Sequence, residues 1–251
     1  MDERYVASKI LYDAYAENLP LAKSEEIQKF LIHKLRHSFD VAYIACDMML
    51  REPELARLRD RERNIVELSA ILHDLGRFYQ HDGKAVLWDM DHGREGALRL
   101  KALGKLDDPA ILFAIDEHDS YAIDEGSLPQ KDREPALLAA KVVRDADKLS
   151  NIMDFSIHGV SKSLIEKNKG GALSDGIRRA ISSRAPLLRR DTATYADSVV
   201  NYMHWYEDMN YDYTRRKTRA LGYFENSFAI LEEIGIPKPD MDLIRGRFGY
   251  D

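Results

Sequence analysis

Histidine and aspartate side chains stand among apolar residues at several places in this chain. In residues 70–78, AILHDLGRF, His73 and Asp74 close an apolar run just before Gly76. Burying an ionisable group without a partner is costly, and Arg77 is the nearest basic residue that could compensate the pair. The sequence therefore predicts that something else, such as a metal ion, holds His73 and Asp74.

Residues of the same two types recur in other apolar segments of the chain. They are His37 in LRHSFDVAYIA, His92 in DMDHGREGALRL, His118 in FAIDEHDS and Asp147 in VVRDADKLSNI. Neutral imidazole and carboxylate are the usual ligands of hard or borderline divalent ions where no thiolate is available. Together these residues indicate a metal centre built from distant parts of the chain.

Each of the four residues also has a structural explanation when it is taken alone. A single helix histidine such as His37 is more often partly exposed than ligating. His92 could stand beside the start of a helix capped by Asp91. His118 could occupy the last turn of a helix, where the helix dipole favours it, and Asp147 has basic neighbours for an ion pair.

The elements that must position these residues are helices. Apolar residues recur at steps of three to five in the segments around His37 and His73, and no convincing period-two pattern indicates a strand. The spacing predicts helices over 30–44, 65–75, 93–104, 109–118, 136–154, 193–209 and 218–235. We therefore expect an all-α protein.

Composition narrows the function classes. The 251 residues are 45% hydrophobic, which suits one globular domain or a domain with a helical extension. With 37 basic and 43 acidic residues, a formal charge of -6 and no long basic run, a standing nucleic-acid partner is not expected. The single cysteine, Cys46, excludes an internal disulfide and a cysteine zinc site. With no signal-peptide or membrane-span pattern, we expect a cytoplasmic chain with no membrane partner.

The order of the candidate residues resembles the H…HD…D signature of the HD-domain metal-dependent phosphohydrolase superfamily. The resemblance covers about residues 30–155 through the motifs LRHSFDVA, ILHDLGRF and RDADKLSNI. It implies an HD-domain helical bundle that holds a metal ion through His37, His73, Asp74 and Asp147. Relatives commonly place the last ligand immediately before a Lys/Arg-Leu pair, which favours Asp147 over Asp145.

The same resemblance suggests a domain division and a metal count. We expect an HD-type metal-binding domain over residues 1–170, with its core at about 30–155, and a C-terminal helical extension over 171–251 packed on the same domain. Some relatives look like H…HD…H…H…D and hold two metals bridged by the aspartate of the HD pair. His92 and His118 occupy the additional positions, and otherwise they would contact a substrate phosphate.

The resemblance implies hydrolysis of a phosphomonoester or phosphodiester, such as a nucleotide, by a metal-bound hydroxide. Asp74 would be a ligand that can also accept the proton of the attacking water, and Arg77 and Lys148 would contact the phosphate. One or two divalent ions are expected, with Mn, Fe, Mg, Ni, Co and Zn not distinguished. A cyclic di-GMP substrate is disfavoured, because the chain reads SYAIDEGSLPQ where such phosphodiesterases carry a GYP signature.

Two other functions remain open, and so does the role of one aromatic segment. A di-iron oxygenase could use the same six ligands, and a regulatory protein could sense a nucleotide without turnover. The stretch YADSVVNYMHWYEDMNYDY, residues 195–213, is rich in aromatic residues. Helix packing explains most of them, and stacking on a nucleobase is the alternative interpretation. The oligomeric state is not indicated.

Overall fold

The computed structural model describes residues 2–120, 122–124, 126, 128, 130–160 and 162–249. Within this part of the chain no strand is formed, and an isolated bridge pairs His81 with Val86. The all-α prediction is confirmed. The helices are α1 (Glu3–Asn18), α2 (Glu25–Arg51), α3 (Asp60–Leu72), α4 (His92–Leu103), α5 (Pro109–Asp116), α6 (Arg133–His158), α7 (Lys162–Lys167), α8 (Asp175–Ser182), α9 (Tyr195–His204), α10 (Asp212–Ala220), α11 (Tyr223–Glu233) and α12 (Lys238–Phe248).

The chain forms two compact units, Met1–Ser150 and Asn151–Asp251, which we call unit 1 and unit 2. The division falls inside α6. The boundary expected between residues 170 and 171, and the packing of the extension on the first domain, stay predictions. Residues 1, 121, 125, 127, 129, 161, 250 and 251 of the predicted ranges lie outside the described residues.

Unit 1 is a bundle in which α2 packs against α3, α3 against α1 and α5, and α4 against α5. Side-chain caps start its helices as expected for these residue types. Ser24 Oγ accepts the N–H of Ile27 at the start of α2, and Asp91 Oδ1 accepts the N–H of Arg94 at the start of α4. The helix cap inferred at Asp91 is thus present, and His92 is the first residue of α4.

Several helix ends differ from the sequence-based expectation. The helix predicted over 65–75 ends at Leu72 and is followed by a 3-10 turn, Leu75–Tyr79. The segment 218–235 is divided into α10 and α11, because Gly222 adopts φ +62°. Pattern reading missed α1, α7, α8 and α12 altogether. None of the described helices is both long enough and apolar enough to cross a bilayer.

Unit 2 has an apolar core of its own. Ile177, Val200, Leu231 and Ile244 are among its fully enclosed side chains. In the aromatic stretch 195–213, Tyr211 and Tyr213 are buried, whereas Tyr202 is largely exposed. Burial of these two tyrosines agrees with the helix-packing interpretation of the segment.

Candidate metal centre

The first part of the site joins α2 to α6. His37 is buried on α2, and its Nε2 lies 2.8 Å from Asp147 Oδ1 on α6. Its Nδ1 lies 3.1 Å from Ser150 Oγ, one turn beyond Asp147. The Asp147 side chain is 22% exposed. Burial alone would raise the pKa of the Asp147 carboxyl, but the contact with His37 holds it well below its usual range.

The adjacent pair stands where α3 ends. His73 caps the helix, and its Nδ1 donates to the carbonyl of Ala70 at 2.8 Å. Complete burial lowers the pKa of His73 to about 3, so its imidazole is neutral at physiological pH. With the proton on Nδ1, the lone pair is on Nε2. That nitrogen is buried and has no hydrogen-bond partner in the described part of the chain.

Asp74 turns its two carboxylate oxygens towards different histidine pairs. Oδ2 lies 3.7 Å from His37 Nε2 and 3.6 Å from His73 Nε2. Oδ1 lies 3.4 Å from His92 Nε2 and 3.7 Å from His118 Nε2. A carboxylate placed in this way can bridge two ions. One ion would lie beside His37 and His73, and the other beside His92 and His118.

The second histidine pair forces two ring nitrogens together. His118 Nδ1 donates to the carbonyl of Ile115 at 2.7 Å, and His92 Nδ1 faces Asp119 Oδ2 at 3.1 Å. These contacts leave the lone pairs on the Nε2 atoms, which lie only 3.1 Å apart. Two facing lone pairs repel unless a cation lies between them. Burial lowers the pKa of His118, but the interactions with the carboxylates of Asp74, Asp119 and Asp147 together outweigh burial and raise the pKa, so a proton can fill that role when no metal is present.

Two glycines allow the backbone segments of the site to approach one another. A Cβ on Gly76 would collide with the carbonyl oxygen of His92 and lie 2.9 Å from the backbone nitrogen of Gly96. A Cβ on Gly93 would lie 2.6 Å from the carbonyl oxygen of Asp116. The turn after Asp74, the start of α4 and the end of α5 therefore pack backbone to backbone.

Two cationic side chains contact Asp74, one from α2 and one from the 3-10 turn that follows α3. Lys34, one turn before His37 on α2, places Nζ 2.7 Å from Asp74 Oδ2. Arg77 Nε lies 3.4 Å from Asp74 Oδ1, and its Nη1 donates to Gln80 Oε1 at 2.6 Å. Burial would raise the pKa of Asp74, but Lys34 and the neighbouring histidines hold it well below its usual range. Asp74 is thus ionised.

The structure brings together the candidate ligands that the sequence indicated. His37, His73 and Asp74 form one group that can hold an ion, and Asp74, His92 and His118 form another. Asp147 joins the first group through His37, and its Oδ1 lies 3.8 Å from His73 Nε2. His118 lies two residues beyond the end of α5 rather than within it.

The sequence also indicated Lys148 as a phosphate contact and offered Asp145 as the alternative to Asp147 for the last ligand. Lys148 is buried beside Asp147 on α6, but successive helix positions differ in direction by about 100°. Its phosphate contact stays a prediction. Asp145 is fully buried and belongs to neither metal group among the described residues.

The donor set fits a divalent metal. Each group offers two imidazole nitrogens and a carboxylate oxygen that lie within 4.8 Å of one another. Among the described residues His73 Nε2 has no hydrogen-bond partner, and the facing Nε2 atoms of His92 and His118 need a proton or another cation between them, so a bound metal ion would satisfy all three nitrogens. His37, His73, Asp74 and Asp147 could hold one ion, and Asp74, His92 and His118 a second.

Comparison with known proteins agrees with this geometry. The family model of the HD domain matches residues 35–152, which include all six candidate ligands. Residues 35–152 thus match an HD domain. Proteins of the HD superfamily are mostly metal-dependent phosphohydrolases. No curated protein and no solved structure matches the chain.

Sequence reasoning missed the residues that orient the ligands of this HD domain. They are Lys34 and Gln80 around Asp74 and Arg77, Ser150 behind His37, and Asp119 behind His92. A signal existed for two of them. Lys34 and Ser150 lie three positions from His37 and Asp147, which places each on the same helix face as its ligand.

Proposed function

We propose that this protein is a metal-dependent phosphohydrolase that cleaves a phosphomonoester or phosphodiester of a small molecule. The observation that carries the proposal is the placement of Asp74 between two histidine pairs, with one carboxylate oxygen facing each. Two ions held in this way would lower the pKa of a coordinated water and stabilise the attacking and leaving oxygens of a phosphoryl group.

The surrounding side chains support an anionic substrate. Lys34 and Arg77 bring two positive charges to Asp74, and both side chains are largely buried. A largely buried guanidinium held by Asp74 and Gln80 is pre-oriented for a phosphate oxygen. Asp147 retains contact with solvent, so substrate and water can reach this side of the cluster.

The same cations separate the proposal from the other two functions. An oxygenase could use the same six ligands, and Lys34 and Arg77 favour the hydrolase because its substrate must be an anion. A sensor without turnover would not need an unpaired nitrogen such as His73 Nε2 directed into the cluster. The cytoplasmic location and a nucleotide as the substrate stay predictions.

The test uses the full chain, stripped of metal by chelation and reloaded with Mn²⁺, Fe²⁺, Co²⁺, Ni²⁺, Zn²⁺ or Mg²⁺. We expect metal-dependent release of nitrophenol from p-nitrophenyl phosphate or bis(p-nitrophenyl) phosphate. His73→Ala should abolish it, whereas His158→Ala, which changes an exposed histidine outside the cluster, should not. Oxygen uptake by the iron-loaded protein without phosphoester cleavage would contradict the proposal and favour the oxygenase.

A further inference from the structure

An exposed tryptophan stands beside the cluster in a loop that is fixed by hydrogen bonds. Trp88 is 57% exposed, although a large aromatic side chain normally gains from burial. The loop is held because Leu87 N donates to Gln80 O at 2.9 Å and Gln80 Nε2 donates to Met90 O at 2.9 Å. These hydrogen bonds hold the loop on either side of Trp88 and leave its ring exposed.

The Trp88 ring is supported from two directions. Phe30 of α2 packs edge to face against it, with ring centroids 6.0 Å apart. The guanidinium carbon of Arg77 lies 6.0 Å from the Trp88 ring centroid. Both contacts lie within unit 1 and orient the indole on the side of Arg77.

Arg77 contacts both the Trp88 ring and the candidate metal ligand Asp74. Its Nε lies 3.4 Å from Asp74 Oδ1, the oxygen that faces His92 and His118. Because the same guanidinium contacts both groups, the centre of the Trp88 ring lies within about 11 Å of that carboxylate oxygen. The ester group of a phosphate bound at the candidate metal site could therefore span the distance to the indole.

We infer that Trp88 is the surface on which a planar ring of the substrate stacks, so that the protein selects phosphate esters bearing a nucleobase or another aromatic ring. The inference rests on the proposed phosphohydrolase function and assigns its specificity to the Phe30–Trp88–Arg77 wall. A fixed, exposed indole provides stacking area without an ordering cost, and the cation beside it pairs with the phosphate.

Fluorescence provides a test that does not depend on turnover. The chain has two tryptophans, so Trp205→Phe leaves Trp88 as the sole indole emitter. Titration of adenosine 5′-monophosphate should quench or shift Trp88 emission in this variant, and ribose 5-phosphate, which lacks the ring, should not. Trp88→Phe, which retains Trp205, should show no such response.

Turnover tests the selectivity directly. The ratio of kcat/KM for adenosine 5′-monophosphate to that for ribose 5-phosphate should fall by about 5- to 100-fold in Trp88→Ala. Leu87→Ala, which truncates the neighbouring exposed apolar residue of the same loop, should leave the ratio unchanged. A selectivity unchanged in Trp88→Ala, or the absence of an emission response to the nucleotide, overturns the inference.

The outcomes also separate this inference from the proposed function. Hydrolysis of both esters at equal efficiency, with no emission change, would leave the phosphohydrolase standing and remove Trp88 from substrate recognition. A nucleotide-specific emission change without hydrolysis of any ester would keep the stacking surface and refute the hydrolase.

Discussion

The buried carboxylates of the two units differ in the partners that surround them. In unit 2, Asp240 receives Nε and Nη2 of Arg178 and the N–H of Leu173, and Asp197 receives the N–H groups of Ser174, Ala193 and Thr194. These carboxylates are saturated by protein donors. They tie loops to helices and leave no acceptor directed at empty space.

The buried polar atoms around Asp74 in unit 1 are arranged for an additional partner. His73 Nε2 has no hydrogen bond to any residue that the structure describes, and the Nε2 atoms of His92 and His118 face each other. Protein donors thus satisfy the buried carboxylates Asp197 and Asp240, whereas the buried nitrogens around Asp74 are arranged to take a further partner. Saturated carboxylates contribute stability, whereas convergent lone pairs indicate a ligand.

Replacing one buried aspartate by asparagine in each unit should give the largest difference in metal content between two variants. Asp74→Asn removes the charge, and one of the two oxygens, of the residue shared by both groups, so we expect metal affinity to fall by at least about 100-fold and both ions to be lost. Asp197→Asn should lower the free energy of unfolding by about 1–3 kcal/mol and leave metal content unchanged. Elemental analysis and thermal unfolding of both variants measure these effects. Equal metal content in the two variants would abolish the distinction.

The second prediction concerns the number of metal ions that the six candidate ligands hold. Metal titrated into stripped protein should bind with a stoichiometry near two, falling towards one when His92 and His118 are both replaced by alanine. Isothermal titration calorimetry measures the number of sites. A stoichiometry of one in the unaltered chain, with the double variant losing only substrate affinity, would assign both histidines to the phosphate.

The third prediction concerns the close backbone approach at Gly76. Gly76→Ala places a methyl group against the carbonyl of His92, so we expect a loss of about 1–3 kcal/mol in unfolding free energy and weaker binding of the second ion. Gly246→Ala in α12 is the control, because its Cβ would meet no atom within 4 Å and alanine favours a helix. If Gly76→Ala were as harmless as its control, the backbone packing would not set the site.

The candidate ligands were predictable because their local surroundings are informative. An apolar run around His73 and Asp74 predicts burial, and burial of such groups predicts a partner. The order of His37, His92, His118 and Asp147 along helical segments then completes the set. Contacts between distant segments carry no such signal. Gly76 reads as a helix stop in the sequence, and its approach to His92, sixteen positions later, is visible only in the fold.

The helices that were missed show the same limit. The buried face of α1 includes the small residues Ala7 and Ala14, which give a weak amphipathic pattern. Helix α12 begins after Pro237 and contains Pro239 in its first turn, where proline is tolerated but reads as a breaker. Tertiary packing, rather than local pattern, decides these elements.

The smallest expected effect is an acid-dependent one in unit 2, where protein partners rather than a metal set the charge of a carboxylate. Burial alone would raise the pKa of Glu207, but hydrogen bonds from His204 and Arg247 hold it at about 2, below the ordinary 4.5. A lowered carboxyl pKa contributes stability above pH 4.5, and that contribution is lost as the pH falls towards 2.

Glu207→Gln should therefore flatten the dependence of the unfolding free energy on pH over this range, with or without a chelator. Arg247→Met should flatten it partly, and the double variant should match Glu207→Gln in slope. Denaturant titrations at several pH values measure the slopes. A slope in Glu207→Gln as steep as in the unaltered chain would show that the carboxylate's partners do not stabilise the fold.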